Sequence, residues 1–282
     1  MTLRRPTHAA PTNEEISAYW DGRIHDTVLS DDPPGSPGFY AAMDAYRYGR
    51  LDYLSDLADF GRWRGRDVLD LGCGAGLDAT RFARAGARVV GLDLSAGALA
   101  MASDYLGVSD LKASLVRADG AQLPFAPASF DLVFCHGVLS FVRNEKGVVD
   151  EIRRILRPDG LAILMVYNRL STMYVAHRLM GLPLGHADAP GFRTHTRAEF
   201  AALLAPFGSC EIRYERLPAT SQRRGPGATL FNAVHRIARR VLPEAWFRTT
   251  GWHLIARCGI AEKRGRELDD DVFADGGGGR QR

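Results

Sequence analysis

The sequence predicts an α/β protein with a mostly parallel sheet, and three observations support this fold class. Apolar runs alternate with helical segments between residues 67 and 168. The first run, 67–72, carries Val68, Leu69 and Leu71 and ends in glycine, which is typical of a strand buried within a parallel sheet. Glycines follow that run directly. Strands and helices that alternate in this way indicate parallel strands joined by right-handed crossovers.

The residues before this alternating region are predicted to form a tail and a helical cap. Residues 1–14 are polar and contain prolines, so we expect a flexible tail there. Ser36 and Pro37 suit the cap and the first position of a helix. Apolar residues recur behind them at helical spacing, which predicts a helix over 37–60. The predicted N-terminal cap is 15–62.

The alternating region contains five predicted strands and three predicted helices. The strands are expected at 67–72, 88–94, 115–119, 130–136 and 161–168, and the helices at 77–85, 96–106 and 144–156. Five apolar residues share one face of the last helix: Val148, Val149, Ile152, Ile155 and Leu156. The sequence Pro158-Asp159-Gly160 predicts a turn into the fifth strand.

The pattern changes after residue 168. Thr196 and Glu199 predict a capping box for a short helix that ends near residue 205. Two further strands are expected at 211–218 and 251–258, with one strongly amphipathic helix between them at 228–242. The residues after 262 lack apolar content, so 263–282 is predicted to be a disordered tail.

Composition excludes several classes of protein. The chain has 282 residues, of which 46% are apolar and 24% charged, as is usual for globular proteins. No apolar run approaches the roughly 18 residues of a membrane span. The N-terminus lacks the apolar core of a signal peptide, so we expect a cytoplasmic protein. The net charge of +3 gives no indication of nucleic-acid binding.

Cysteine and histidine spacing gives no sign of a disulfide framework or a metal site. The four cysteines, Cys73, Cys135, Cys210 and Cys258, contain no C-x-x-C pair. We therefore expect reduced thiols, as in a cytosolic protein. No pair among the eight histidines has H-E-x-x-H spacing, and we predict no bound metal.

The glycine loop after the first strand is the main chemical signal. The dinucleotide fingerprint is G-x-G-x-x-G, but here the third glycine, Gly76, comes one place early and Leu77 stands in its position. The loop therefore suits a nucleoside with a compact polar tail better than a pyrophosphate. This argues against a nicotinamide-dependent reductase.

Carboxylates lie at the ends of three predicted strands, where open α/β sheets bind ligands. Asp70 lies inside the first strand, Asp93 ends the second and Asp119 ends the third. Asp93 can accept hydrogen bonds from both hydroxyls of a ribose, and Asp119 can reach an adenine amino group. Taken singly, Asp93 could instead cap the helix at 96, and Asp119 could form a turn with Gly120.

Five strings occur in one order: VLDLGCGAG, GLDLS, RADGAQLPF, FDLVFCHGVLSFV and ILRPDGLAILMV. Together they resemble the class I S-adenosylmethionine-dependent methyltransferases, and most of all the quinone-biosynthesis and natural-product branch. The resemblance covers 46–168 closely and 194–258 loosely. It implies a Rossmann-like sheet of seven strands with helices on both faces, whose last strand pair is antiparallel.

The resemblance also implies roles for particular residues in binding S-adenosylmethionine. The methionine part would be held by the loop and the aspartate before it: Asp70, Gly72, Cys73, Gly74 and Gly76. Asp93 would bind the ribose, Leu94 would lie beside the adenine, and Asp119 with Gly120 would read the adenine edge. Residues of the N-terminal cap would close over the cofactor: Tyr19, Trp20, His25, Tyr46 and Arg47. Tyr46 and Arg47 also fit a helix packing face.

A methyl acceptor with a hydroxyl or amine group calls for a general base, and histidine suits this role near neutral pH. His136 is the first candidate because it follows the fourth strand and would also lie near the cofactor. His25 and His195 are second candidates. The remaining histidines are expected on the surface or in the core: His8, His177, His186, His235 and His253.

The expected acceptor is a small, largely hydrophobic or aromatic metabolite, methylated on a hydroxyl, an amine or a carbon. Two extra segments, 169–193 and 222–248, are interpreted as an acceptor cap. The helix at 228–242 either packs on the sheet with a solvated basic face, which we favour, or rests on an anionic membrane surface. Two other classes stay open: a non-methylating cyclase or decarboxylase, and a protein that senses the cofactor.

Overall fold

Seven strands form one sheet in the computed structural model of this protein, which describes residues 10–23, 30–180, 186–215 and 249–260 and seven single residues between 233 and 246. The strands are β1 (Asp67–Leu71), β2 (Arg88–Asp93), β3 (Ser114–Arg117), β4 (Phe130–His136), β5 (Leu156–Tyr167), β6 (Ser209–Glu215) and β7 (His253–Gly259). Their order is β3-β2-β1-β4-β5-β7-β6. β1 to β5 are parallel, whereas β7 is antiparallel to both β5 and β6. This confirms the predicted fold class.

Helices cover both faces of the sheet. They are α1 (Asn13–Asp21), α2 (Pro37–Arg50), α3 (Leu54–Ala58), α4 (Leu77–Arg84), α5 (Ala96–Val108), α6 (Glu145–Ile155), α7 (Thr172–Met180) and α8 (Arg197–Leu203). Neighbouring residues of β1 belong to different apolar clusters: Val68 packs with Phe82 of α4, and Leu69 packs with Ile152 of α6. Because both faces are covered, the central strands are mostly apolar, and Asp70 of β1 is a buried exception.

The N-terminal cap differs from its prediction in two places. α1 begins at Asn13, inside the predicted tail, because Thr12 and Glu15 form a capping box. The predicted helix over 37–60 is two helices, since the chain leaves the helical path at Leu51. α2 buries its apolar face against α5, whereas α3 packs against α4 and the sheet, so one straight helix could not serve both.

The predicted turn at Pro158-Asp159-Gly160 is instead part of β5. Phe130 pairs with Leu156 and Leu132 pairs with Leu161, so β5 takes five residue steps where β4 takes two. The surplus residues form a bulge, which is a position where a strand tolerates proline. α6 accordingly ends at Ile155, and Leu156 begins the strand.

The expectation that all four cysteines are reduced is wrong. Cys210 of β6 and Cys258 of β7 are directly paired across the antiparallel ladder and form a disulfide. They lie 48 positions apart in the sequence, with no motif that marks them as partners. Cys73 and Cys135 are free and buried, and burial raises the pKa of each thiol. Buried free thiols of this kind pack as small apolar side chains.

Several predictions concern residues outside the described part of the chain. These are the tails at 1–9 and 263–282, the histidine at position 25, and most of the helix at 228–242. Among the described residues of that helix, Ile237 is 60% exposed and Val241 is 72% exposed. Both were expected on its packed apolar face. Arg236 and Arg240 are exposed, as predicted for its basic face.

Candidate active site

A cavity of about 540 Å³ opens at the ends of the parallel strands, as expected for an open α/β sheet. Loops after β1, β2, β3 and β4 contribute to its wall, and α1, α2 and α7 close over it. This volume lies within the roughly 300–1,000 Å³ typical of ligand sites.

The glycine loop forms one side of this cavity. The backbone N–H groups of Gly72 and Cys73 donate to the carbonyl of Leu92, at 2.7 and 3.0 Å, which folds the loop against the end of β2. Gly74 has a φ of +54°, and a Cβ placed there would meet no atom within 4 Å. The loop therefore presents open backbone to the cavity, and Gly72, Cys73 and Gly74 all line it, as predicted.

Asp93 lines the cavity and also holds the glycine loop. Its carboxylate accepts hydrogen bonds from the backbone N–H of Gly74 and of Ser95, each at 2.9 Å. Burial raises the pKa of Asp93, and these two donors oppose that shift. Ser95, not Asp93, caps α5. Leu94 lies beside Asp93 in the cavity wall.

Asp119 and Gly120 also line the cavity. One carboxylate oxygen of Asp119 accepts from the backbone of Ala121 at 2.9 Å, and the other accepts from Asn13 Nδ2 at 2.8 Å. The backbone carbonyl of Asp119 also accepts from Gln122, so the expected turn is present as well. The contact with Asn13 joins α1 to this end of the cavity.

Two residues predicted to contact the cofactor lie behind the loop instead. Asp70 is only 2% exposed and is not part of the cavity wall. Burial raises its pKa, and the nearby carboxylate of Asp78 adds to the shift. Gly76 begins α4, where a Cβ would come 2.8 Å from Ala102 Cβ. Its role is therefore close packing between α4 and α5.

Asp78 of α4 was not predicted, yet it organises the wall between the loop and α2. It forms an ion pair with Arg47, whose Nε lies 3.1 Å from Asp78 Oδ1, and it accepts from the Tyr48 hydroxyl. Tyr46 and Arg47 both line the cavity, as expected for residues that close over the cofactor. Only the position of Asp78 in the first turn of α4, directly after the glycine loop, could have indicated this.

His136, the first candidate base, lies in the cavity wall at the end of β4. Its Nε2 lies 3.0 Å from the Tyr53 hydroxyl, and its Nδ1 lies 3.5 Å from Arg47 Nη2. Burial lowers the pKa of His136 well below its usual value, and the charge of Arg47 lowers it further. The imidazole is therefore neutral at physiological pH, which is the form that accepts a proton.

Three of the other described histidines, His186, His195 and His253, are placed differently from the prediction, whereas His177 is buried, as expected. His195 is 6% exposed, its Nε2 lies 2.9 Å from Glu145 Oε1, and it is not in the cavity wall. His253 and His186 were assigned to the surface or the core, but both line the cavity. His253 begins β7, and its Nδ1 lies 2.7 Å from the Tyr53 hydroxyl.

Aromatic rings form a continuous wall next to the histidines. Trp20 contacts Phe141, Phe141 contacts Tyr167, and Tyr167 contacts Trp252, with ring centroids 5.1, 6.0 and 5.1 Å apart. Tyr167 also lies 5.3 Å from the ring of His253. All five residues line the cavity. One end of the cavity is therefore acidic, and the other is aromatic and imidazole-rich.

The acidic end suits S-adenosylmethionine. The carboxylates of Asp93 and Asp119 can accept from ribose hydroxyls and from an adenine amino group, and the open backbone at Gly74 allows close approach. When bound, this cofactor supplies a methyl group activated for transfer.

Comparison with known proteins agrees with this site. Residues 69–164 match the family model described as a methyltransferase domain. The ubiquinone biosynthesis O-methyltransferase of Paracidovorax citrulli is 33% identical over 210 residues, which span 71% of this chain and 76% of that protein. The chain therefore belongs to the class I S-adenosylmethionine-dependent methyltransferases. It is a methyltransferase, and S-adenosylmethionine is its cofactor.

Solved structures show the same fold. Magnesium protoporphyrin IX methyltransferase from Synechocystis PCC 6803, with bound SAH, has a TM-score of 0.58 at 17% identity and covers 89% of this chain and 100% of its own. The [4+2]-cyclase SpnF has a TM-score of 0.57 at 21% identity and covers 89% of this chain and 98% of its own. At these identities the likeness concerns the fold alone.

Proposed function

We propose that this enzyme methylates a hydroxyl oxygen of a small aromatic metabolite, with His136 as the general base. The observation that carries the proposal is the neutral imidazole of His136 in a cavity wall shared with the glycine loop. A neutral hydroxyl is a weak nucleophile, and a base that removes its proton during transfer increases the rate by about 10²- to 10⁴-fold. The relative from Paracidovorax citrulli is named an O-methyltransferase, which supports oxygen as the methylated atom.

The chain's own residues have three tasks in this reaction. They align the acceptor, exclude water and take up the proton. The acceptor oxygen forms the new bond to the methyl carbon as its proton passes to His136. The glycine loop and Asp93 would hold the cofactor, which would supply the methyl group and keep the electron pair of its carbon–sulfur bond as S-adenosylhomocysteine.

The shape and lining of the cavity favour an aromatic acceptor. Trp20, Phe141, Tyr167 and Trp252 form one connected wall beside His253. Aromatic rings pack against such walls edge-to-face or offset, with about 0.5–1.5 kcal/mol gained per pair beyond area burial. A small planar molecule on this wall would lie next to the imidazoles.

We also propose that 169–193 and 222–248 together cap the acceptor. Met173 of α7 and His186 both come from the first segment and line the cavity. Trp246 of the second segment donates from Nε1 to Thr172 Oγ1 at 3.0 Å, so described residues of the two segments are in contact.

The acceptor is proposed to be a free metabolite, not a nucleic acid or a protein. The enzyme is proposed to act in the cytoplasm, although a disulfide such as Cys210–Cys258 is uncommon there. Among the described residues, no helix has both the length and the apolar content to cross a membrane. Contact of the exposed Ile237 and Val241 with a membrane surface stays a less favoured prediction. Sedimentation with anionic liposomes at low salt tests it, and absence of pelleting contradicts it.

Methyl-labelled S-adenosylmethionine tests the proposed function directly. The purified chain is incubated with separate panels of phenols and catechols, arylamines, aromatic carboxylates, a polypeptide mixture and tRNA. We expect label in the phenols or catechols, with one S-adenosylhomocysteine formed per product. Label only in the other panels would overturn the proposed acceptor. A conversion without S-adenosylhomocysteine would instead indicate a non-methylating enzyme.

A further inference from the structure

Tyr53 connects two of the three described histidines that line the cavity, His136 and His253. Its hydroxyl lies 3.0 Å from Nε2 of His136 and 2.7 Å from Nδ1 of His253. Tyr53 comes from the break between α2 and α3 and is not itself part of the cavity wall. It therefore contacts the reacting end of the cavity through the two imidazoles.

All three groups are neutral, and this restricts how they can share protons. Burial raises the pKa of Tyr53 well above its usual value and lowers that of both His136 and His253. A phenolic hydroxyl has one proton to donate, so it can donate to one imidazole and accept from the other. The tautomers of the two histidines are therefore linked through Tyr53.

Arg47 selects one of the two arrangements. A guanidinium can only donate, and Arg47 Nη2 lies 3.5 Å from Nδ1 of His136. This contact favours the arrangement with the lone pair on Nδ1, in which Nε2 carries the proton and donates it to Tyr53. Tyr53 in turn donates to Nδ1 of His253. At 3.5 Å the contact with Arg47 is long, which leaves the Nδ1 lone pair available to an acceptor.

We propose that Tyr53 and His253 are positioning residues that hold His136 in the tautomer with its lone pair on Nδ1. The inference rests on the proposed function, and it narrows the substrate class to acceptors that arrive with their hydroxyl proton still in place. The Tyr53 hydroxyl orients His136 as a carboxylate would, but the hydroxyl is neutral. A carboxylate at the position of Tyr53 would favour the protonated imidazole, whereas a neutral hydroxyl orients the ring and leaves it a base.

Nitrogen NMR of the histidine-labelled chain, without cofactor or acceptor, tests this directly. Protonated and unprotonated imidazole nitrogens have well separated signals. We expect His136 to show a protonated Nε2 and an unprotonated Nδ1, and His253 to show an unprotonated Nδ1. The reverse assignment at His136 would overturn the proposal.

Three variants separate positioning from packing. Tyr53→Phe keeps the ring but removes the hydroxyl, and His253→Phe removes the acceptor for that hydroxyl. Each should give mixed tautomers at His136 and lower kcat by about tenfold or more, as for other partners that orient a functional histidine. His253→Asn places an amide oxygen near the position of Nδ1. It should restore the single tautomer and more turnover than His253→Phe retains.

Cofactor affinity measured by calorimetry is the control, and it should be unchanged in all three variants. A single unaltered tautomer in Tyr53→Phe would contradict the inference, as would equal turnover in His253→Asn and His253→Phe. If the chain methylates no hydroxyl at all, the proposed function fails while the tautomer measurement still decides the role of Tyr53.

Discussion

The two ends of the cavity are built in different ways. The cofactor end uses residues that directly follow β1, β2 and β3, and its carboxylates bind backbone N–H groups only two residues away or in the neighbouring loop. The reacting end joins Tyr53 to His136 across 83 positions and to His253 across 200. Local sequence therefore supplies most of the proposed cofactor end, apart from Asn13, which reaches Asp119 across 106 positions. The complete fold, in contrast, assembles the proposed base.

The two ends also differ in charge. Asp93 and Asp119 are the carboxylates of the cofactor end, where donors of a ribose and an adenine would bind. At the other end Arg47 and Arg50 line the wall, and their charges add to burial in lowering the pKa of His253. One end of the cavity therefore favours ligand groups that donate hydrogen bonds. At the other end the positive charges keep the imidazoles neutral.

The largest expected effect follows from mutation of His136, which changes the reacting end and leaves the cofactor end intact. His136→Gln removes the proton acceptor, and kcat should fall by about a hundredfold or more, in the range for loss of a general base. Calorimetry should show cofactor affinity nearly unchanged, because the carboxylates and the loop are intact. Wild-type turnover would mean that the acceptor needs no base at this position.

His195→Gln is the matched control for this experiment. His195 is buried against Glu145 and lies outside the cavity wall. Its loss should leave kcat and cofactor affinity unchanged, provided that the variant folds with a normal far-ultraviolet spectrum. A large loss of kcat in this variant with normal cofactor affinity would instead move the base away from His136.

The fold and the cofactor end were largely predictable because both depend on local patterns. Apolar periodicity located all seven strands, and the spacing of glycines and carboxylates located Gly74, Asp93 and Asp119. The motif includes two residues that the structure places outside the cavity wall. Asp70 and Gly76 belong to the motif, but they support the loop from behind.

The reacting end was only partly predictable. His136 was found because it ends a strand, whereas His253 begins one, on a strand antiparallel to its neighbour. Tyr53 lies at a break in a region predicted as one helix, so its direction could not be inferred from helical spacing. The disulfide between Cys210 and Cys258 likewise depends on the register of β6 and β7, which no local pattern specifies.

The second prediction concerns that disulfide, which ties β6 to the strand that carries His253. Replacing both cysteines, Cys210→Ala with Cys258→Ala, should lower the free energy of unfolding by about 2–4 kcal/mol, because the bond closes a long loop in the unfolded chain. Chemical denaturation measures this change. Cofactor affinity should be unaffected, since the disulfide lies at the opposite edge of the sheet from β3.

A thiol count provides the check on that prediction. The denatured, unreduced chain should show two reactive thiols, from Cys73 and Cys135, and four after reduction. Four thiols before reduction would contradict the bond.

The third prediction tests the cofactor end alone. Asp93→Ala should weaken S-adenosylmethionine binding by about tenfold or more, because hydrogen bonds to a charged group contribute roughly 1.5–3 kcal/mol each. At saturating cofactor, kcat should stay near the wild-type value. Asp93→Asn keeps one acceptor oxygen and should lose less affinity. Unchanged affinity in calorimetry would contradict the ribose assignment.

The smallest expected effect is a difference in pH dependence between the two ends. His253 has its pKa lowered by burial, so below its unfolded value of about 6.5 the unfolded chain takes up a proton that the folded chain resists. Above pH 6.5 the histidine is neutral in both states, so it does not lower the free energy of unfolding. Below pH 6.5 the free energy of unfolding falls as the pH decreases. The buried acids Asp70 and Asp93 have raised pKa values and act with the opposite sign, lowering stability as the pH rises.

Subtracting the stability curve of His253→Asn from that of the wild type cancels the shared contribution of the acids. The wild type should lose about 1 kcal/mol more than the variant between pH 7 and pH 5.5, since a full pKa unit corresponds to about 1.4 kcal/mol. Urea denaturation at fixed ionic strength measures both curves. Parallel curves would mean that His253 is protonated as readily in the folded chain as in the unfolded one.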